Sequence, residues 1–202
     1  MTTTPEAGKA EPRRMSPLPI RQWPPEMRAA LAALTPPVAR HPVPERGADR
    51  PKGLNALGTM AHYPELTRAF HVFNGHVLFA TSLSLRQREL TVLRISAVRG
   101  AVYEWTQHTW MARNEAGMTD DEIGRVAEGP DAPGWSDEDR ALLRAVDELI
   151  AHAHIGDSTW QELGTVLEER QLMDLVFTVG AYDTLAMAFK TFGVELDDEL
   201  SP

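Results

Sequence analysis

Three ionisable side chains in the middle of the chain have the types and spacing needed to move protons. They are Glu89, Glu104 and His108. A histidine titrates near neutral pH, and burial raises the pKa of a carboxyl group, so both can exchange protons with a bound molecule. We expect His108 to be the general acid/base and Glu89 a second acid/base with a raised pKa. Glu104 is expected to hold or charge His108 from one helical turn away.

Two helices must position these groups. The first is expected to begin after Ser84, which has the spacing of a capping box with Gln87, and to run from about Leu85 to Arg99. Glu89 falls inside the apolar stripe of this helix. A carboxylate aimed at a core costs several kcal/mol unless another group compensates its charge.

The second helix is expected from about Ala101 to Ala116, after a break at Gly100. Glu104 and His108 are spaced i,i+4 on it, so they are neighbours on one face. If the chain folds back at Gly100, Glu89 lies about 16 Å before the bend and His108 about 12 Å after it, at the rise of an α-helix. An αα-hairpin would therefore bring the three groups together.

Three runs of residues in this region resemble the carboxymuconolactone decarboxylase family, which also contains the alkylhydroperoxidase D (AhpD) proteins. The runs are LRQRELTVLR at 85–94, YEWTQH at 103–108 and AGMTDDEI at 116–123. The peroxidase branch of that family uses a glutamate, a C-x-x-C pair and a histidine, which by spacing fall on Glu89, on Ala101 and Glu104, and on His108. The chain has no cysteine, so thiol chemistry is excluded. The decarboxylase branch resembles the chain better, since it too carries a glutamate four residues before the histidine.

The resemblance implies decarboxylation, isomerisation or lactone rearrangement of a small organic acid or lactone. It also implies a homo-oligomer, a trimer or a hexamer. Tyr103 and Trp105, which flank Glu104, are expected to shape the substrate pocket. We expect no cofactor. The rival interpretations are a non-enzymatic ligand-binding or scaffold protein and, less favoured because cysteine is absent, a thiol peroxidase.

Four other ionisable residues leave alternatives open. His76 either lines the pocket or is an ordinary hydrogen-bonded histidine, and Asp183 is either a helix-packing hydrogen bonder or a fourth pocket group. His152 and His154 diverge on a helix and have no further ligand at metal-site spacing, so no metal site is predicted.

Composition and charge limit the other classes of function. The chain has 202 residues, a net charge of −9 and ordinary contents of apolar and charged residues. An acidic chain argues against nucleic-acid binding, and no apolar run approaches the length of a membrane span. The absence of cysteine is consistent with a cytoplasmic protein.

The periodicity predicts an all-α, AhpD-like, single-domain bundle of about seven or eight helices around the central αα-hairpin. Residues 1–22 are expected to be a disordered or extended arm and residues 23–198 the helical domain. Two further capping boxes are expected to open later helices, at Thr119–Glu122 and Ser158–Gln161, and Ser136 is expected to cap another.

Overall fold

A computed structural model of the chain describes residues 12–43 and 51–198. Within these residues the chain forms nine α-helices and no β-strand, which confirms the predicted all-α class. A 3₁₀ turn (Ile20–Gln22) precedes the first helix and a π-helical turn (His76–Ala80) follows the third. The α-helices are α1 (Met27–Ala32), α2 (Leu54–Met60), α3 (Pro64–Gly75), α4 (Leu85–Arg99), α5 (Val102–Asn114), α6 (Asp120–Glu128), α7 (Asp137–His152), α8 (Asp157–Gly164) and α9 (Glu169–Phe192).

The central hairpin forms as the sequence predicts. The hydroxyl of Ser84 accepts from the backbone of Gln87 while the Gln87 side chain accepts from the backbone of Ser84, so α4 begins with a complete capping box. Gly100 ends α4 with φ +59°, a left-handed conformation that glycine adopts without steric cost. The chain then reverses into α5.

The chain divides into two compact units, and the hairpin belongs to the unit formed by Ser82–Ala186. In this unit α4 packs against α5, α6 and α7, and α8 packs against α7. Residues 87–93 of α4 are all buried, so this helix is enclosed on every side and not on one stripe alone. Its apolar side chains, among them Leu90 and Leu93, join a core that includes Trp105, Trp135 and Leu143.

Three arginines tie α4 to the helices around it. Arg86 contacts Asp139 and Glu122, Arg94 pairs through two hydrogen bonds with Asp147, and Arg99 pairs likewise with Asp183. Two parallel hydrogen bonds fix geometry as well as charge. The position of α4 is therefore set by packing in its middle and by ion pairs along its length.

The second unit contains Ala10–Thr81 and Met187–Pro202, of which residues 12–43, 51–81 and 187–198 are described. Its core contains Met27, Ala30 and Ala61. The backbone just after α1 passes so close to the end of α3 that a Cβ at Gly75 would lie 2.4 Å from the carbonyl oxygen of Leu34. Of the predicted arm, residues 1–11 lie outside the described part of the chain. The division into an arm at 1–22 and a domain at 23–198 stays a prediction.

Two predictions, on the caps of later helices and on the apolar character of α9, differ in part from the structure. The capping boxes at Thr119 and the cap at Ser136 are present, but the one at Ser158 is wrong. Helix α8 begins two residues earlier than this cap predicts, at Asp157 after Gly156, so Ser158 lies inside its first turn. Helix α9 is long and apolar enough to cross a membrane by length and composition, contrary to our reason for excluding a span. Core helices of soluble proteins meet the same criterion.

Candidate active site

The hairpin brings Glu89 of α4 and His108 of α5 into direct contact. The Nδ1 atom of His108 lies 2.7 Å from Oε2 of Glu89. Glu89 is fully buried and His108 is 6% exposed. The expected meeting of an acid and an imidazole in a poorly hydrated place is thus found, at a distance that permits proton transfer.

Arg88 is a third member of the Glu89–His108 centre, and it was not among the residues predicted from the sequence. Its guanidinium lies against the other oxygen of Glu89, with Nε at 2.8 Å and Nη2 at 2.7 Å from Oε1. Arg88 lies off the apolar stripe of the helix, yet it is only 1% exposed because the middle of α4 is buried all round. One signal was available: a carboxylate predicted to be buried needs a counter-charge, and Arg88 is the adjacent residue.

The electrostatics of Glu89 are the reverse of the expectation. Burial raises the pKa of this carboxyl group, but the hydrogen bond and charge of His108, and then those of Arg88, outweigh burial and leave the pKa below its ordinary value. The predicted raised pKa of Glu89 is therefore wrong. Glu89 is an ionised carboxylate at neutral pH and accepts hydrogen bonds from both neighbours.

This contact fixes the orientation of His108. An ionised carboxylate can only accept, so Nδ1 carries the hydrogen, and in the neutral ring Nε2 holds the lone pair. This hydrogen bond of His108 is made with Glu89, across the hairpin. The expectation that Glu104 holds or charges His108 from one turn earlier stays a prediction. Glu104 is itself buried, at 4% exposure, and its catalytic role stays a prediction.

A tyrosine from a distant part of the sequence also contacts His108. The ring of Tyr182, on α9, meets the imidazole edge to face, with centroids 4.9 Å apart and planes at 89°. Tyr182 is 2% exposed. Sequence patterns carry no signal for this contact, because 74 residues separate the two positions (182 − 108) and nothing in their types requires them to meet.

The two residues expected to shape the pocket are both buried. The hydroxyl of Tyr103 accepts a long hydrogen bond, 3.5 Å, from Nε2 of Gln107. Trp105 packs in the hydrophobic core with Leu90 and Leu93, which is a structural position. Contact of Tyr103 or Trp105 with a substrate stays a prediction.

The remaining candidates lie elsewhere. His76, His152 and His154 are exposed. Asp183 forms the ion pair with Arg99 of α4, as the first of its two alternatives, a helix-packing hydrogen bonder, predicts. In residues 12–43 and 51–198 no group of three or more histidines and acids is placed to hold a metal ion. An open groove between α7 and α8 contains none of the predicted site residues; its lining includes Glu138, Arg140, Gln161 and Val166.

The sequence of this region matches a known family. A profile of the carboxymuconolactone decarboxylase family matches residues 64–148, from the start of α3 into α7, and this segment contains Glu89, Glu104 and His108. The match covers less than half of the chain, and within it the resemblance recognised from the sequence is confirmed. None of the curated proteins is similar enough in sequence to match.

Solved structures show the same fold at low sequence identity. An AhpD-type antioxidant defence protein of unknown function from Agrobacterium tumefaciens has a TM-score of 0.64 and 21% identity, covering 68% of this chain and 94% of its own. The AhpD core of a peroxidase-related protein from Ralstonia eutropha has a TM-score of 0.63 and 21% identity, covering 81% and 95%.

A third structure covers more of the chain. The debrominase Bmp8, as a cysteine-to-alanine variant in complex with 2,3,4-tribromopyrrole, has a TM-score of 0.67 and 16% identity and covers 94% of this chain and 95% of its own. These likenesses establish an AhpD-like fold.

Proposed function

We propose that this protein is an enzyme of the carboxymuconolactone decarboxylase type that moves a proton on a small organic acid or lactone, with Nε2 of His108 as the general base. The observation that carries the proposal is the buried 2.7 Å hydrogen bond between His108 and an ionised Glu89. A carboxylate that holds one ring nitrogen of a histidine fixes the tautomer and stabilises the imidazolium formed when the other nitrogen takes a proton.

The roles of the three residues differ. His108 and, after it, Arg88 keep Glu89 ionised. Glu89 orients His108 and stabilises its protonated form, and His108 exchanges the proton with the substrate. Glu89 is a poor proton carrier itself, because its pKa is lowered and both of its oxygens are engaged. Glu104, buried one turn from His108, is our candidate for a second proton carrier.

Each proposed reaction runs through an enolate. In isomerisation, Nε2 removes a proton from the carbon beside a carbonyl, the electron pair moves onto the carbonyl oxygen, and the proton returns to another carbon. In decarboxylation, the bond to the carboxylate breaks, carbon dioxide leaves, and the electron pair stays on the enolate. Protonated His108 then delivers a proton to carbon, which balances the step.

A thiol mechanism is not part of this proposal. The 202 residues contain no cysteine, and Ala101 and Glu104 occupy the positions that the peroxidase branch fills with cysteines.

The Bmp8 complex supports the choice of a substrate class, since that protein of the same fold binds a small ring, a tribromopyrrole. We propose a small cyclic acid or lactone as the substrate class here.

A non-enzymatic ligand-binding or scaffold role is the second candidate. It is favoured by the enclosure of Glu89 and Arg88, whose side chains are 0% and 1% exposed, as in ion pairs with a purely structural purpose. This alternative predicts that His108→Ala and Glu89→Gln leave the biological role intact.

We further propose that the protein, as family members do, forms a homo-oligomer (trimer or hexamer). We propose that it lies in the cytoplasm and binds neither nucleic acid nor membrane.

The test is a turnover assay on γ-lactone carboxylic acids and β-keto acids with three proteins: wild type, His108→Gln and His152→Gln. His152 is an exposed histidine and provides the matched control. We expect His108→Gln to lower kcat by about 100-fold or more, in the range typical of lost general base catalysis, and His152→Gln to behave as wild type. Undiminished turnover by His108→Gln contradicts the proposal, as does binding of these compounds by the wild type without turnover.

A further inference from the structure

We propose that Tyr182 of α9 is a positioning residue that fixes the ring plane of His108, so that the active site is completed by a helix outside the matched family segment. This inference rests on the proposed function of His108. Its basis is the edge-to-face contact of the two rings, at 4.9 Å and 89°, between side chains that are 2% and 6% exposed.

A single hydrogen bond cannot orient an imidazole by itself. The bond from Nδ1 to Glu89 holds one atom of the ring, but the ring can still swing about that point and move Nε2 sideways. A perpendicular aromatic neighbour is favourable in only a narrow range of ring angles. Glu89 and Tyr182 together therefore set the direction in which the Nε2 lone pair points.

Helix α9 is anchored on both sides of Tyr182. The next residue, Asp183, accepts two hydrogen bonds from Arg99 of α4, at 2.5 and 3.0 Å. About two turns earlier, one carboxylate oxygen of Asp174 accepts from the backbone and the hydroxyl of Ser82, both at 2.6 Å. These contacts fix the position of α9 along the segment that carries Glu89, and with it the position of Tyr182.

The family segment at 64–148 contains Glu89 and His108 but not Tyr182. A chain can therefore match the family and still lack this constraint on its histidine. We infer that α9, through Tyr182, makes the difference between a His108 that is oriented for catalysis and one that is only buried.

Two readouts test the proposal on the full-length chain. Long-range ¹H–¹⁵N NMR reports the tautomer of His108, whose signals are assigned by their loss in His108→Gln. Turnover of a γ-lactone carboxylic acid reports kcat and KM separately. The variants are Tyr182→Leu, which removes the ring, and Tyr182→Phe, which keeps it. Phe189→Leu is the control, because Phe189 is another buried aromatic residue of α9.

We expect wild type and Tyr182→Phe to show one tautomer, with the hydrogen on Nδ1, and equal kcat within about twofold. In Tyr182→Leu the imidazole is free to swing, and in part of the molecules it leaves the Nδ1 hydrogen bond to Glu89, so we expect mixed tautomers. We also expect about a tenfold lower kcat with little change in KM, because small errors in the orientation of a catalytic group cost rate more than binding. Phe189→Leu should keep the wild-type tautomer and kcat.

If Tyr182→Leu retains the single tautomer, or changes the tautomer without lowering kcat, the proposal is overturned. Should Tyr182→Leu fail to fold, Asp183→Asn takes its place, since it releases α9 from Arg99 while keeping the tyrosine, and it must shift both readouts in the same direction. Failure of the proposed function is seen separately, as turnover that survives His108→Gln.

Discussion

Arg88 and Glu89 show how neighbouring residues change each other's chemistry when both are buried. The sequence places a carboxyl group in a core and suggests a raised pKa, because burial alone has that effect. Interactions with His108 and then with the adjacent guanidinium outweigh burial and lower the pKa of Glu89. The carboxylate thereby changes from a proton carrier into a fixed charge.

Loss of this charge should destabilise the fold. Glu89→Gln removes the carboxylate that lies 2.7 Å from the buried Arg88 guanidinium and leaves the carboxylate of Glu115 farther away, at 3.7 Å. We expect the free energy of unfolding in urea to fall by about 3 kcal/mol, as when one member of a buried pair is removed. Glu162→Gln, which breaks the half-exposed pair with Arg144, is the control and should cost less than about 1 kcal/mol. If both variants lost the same free energy of unfolding, the conclusion that Glu89 and Arg88 form a stabilising buried ion pair would be contradicted.

The same residue predicts a pH dependence. Because the pKa of Glu89 is lower in the folded chain than in the unfolded one, its stabilisation is complete above the unfolded value of about 4.3 and is lost as pH falls through the folded pKa. The stability difference between wild type and Glu89→Gln should therefore be constant near neutrality and shrink in acid. Urea titrations across this range measure it. A difference that grows as the pH falls would show that the pKa is raised.

At the scale of elements, the ends of helices were the most predictable feature. Capping depends on a few adjacent residues and needs no information from the rest of the fold. The box at Ser84 and Gln87 places the first turn of α4 correctly, and hence the register of Glu89. The same pattern at Ser158 fails, because Gly156 takes the cap position and α8 begins at Asp157.

These two serines form a matched pair for a test. Ser84→Ala removes a side chain that accepts from the backbone of α4, and we expect it to lower the free energy of unfolding by about 1 kcal/mol. Ser158→Ala removes a hydroxyl that donates to Glu162 inside an exposed first turn, and the expected change is a few tenths of a kcal/mol. Thermal or urea denaturation compares them. A larger loss for Ser158→Ala would contradict the assignment of the caps.

At the scale of the whole molecule, α9 presents an apolar outer face. Met173 and Phe177, one turn apart, are 62% and 54% exposed, and Val176 beside them is 38% exposed. Exposed apolar side chains that adjoin one another are typical of protein contact surfaces. This face supports the proposed homo-oligomer, in which copies of the chain cover it.

Sedimentation of the purified protein tests this prediction. We expect wild type to sediment as a trimer or hexamer and Phe177→Glu to shift toward smaller species, because a charge in the centre of an apolar contact is costly. Trp160→Glu, a comparable change at a half-exposed residue of α8, is the control and should keep the wild-type mass. A monomeric wild type, or an unchanged mass for Phe177→Glu, would show that this face has another purpose.

The sequence by itself determined the all-α class, the bounds of α4, the bend at Gly100 and the meeting of Glu89 with His108. Each depends on local periodicity, on caps, or on the fixed rise of two consecutive helices, which a linear pattern contains. Only the tertiary structure decided that Arg88 is inside, that Glu89 is ionised and that Tyr182 touches the imidazole. Burial on all sides of α4 and the contact of α9 with His108 depend on segments that are distant in the sequence. The charge of a buried group depends on all its neighbours at once.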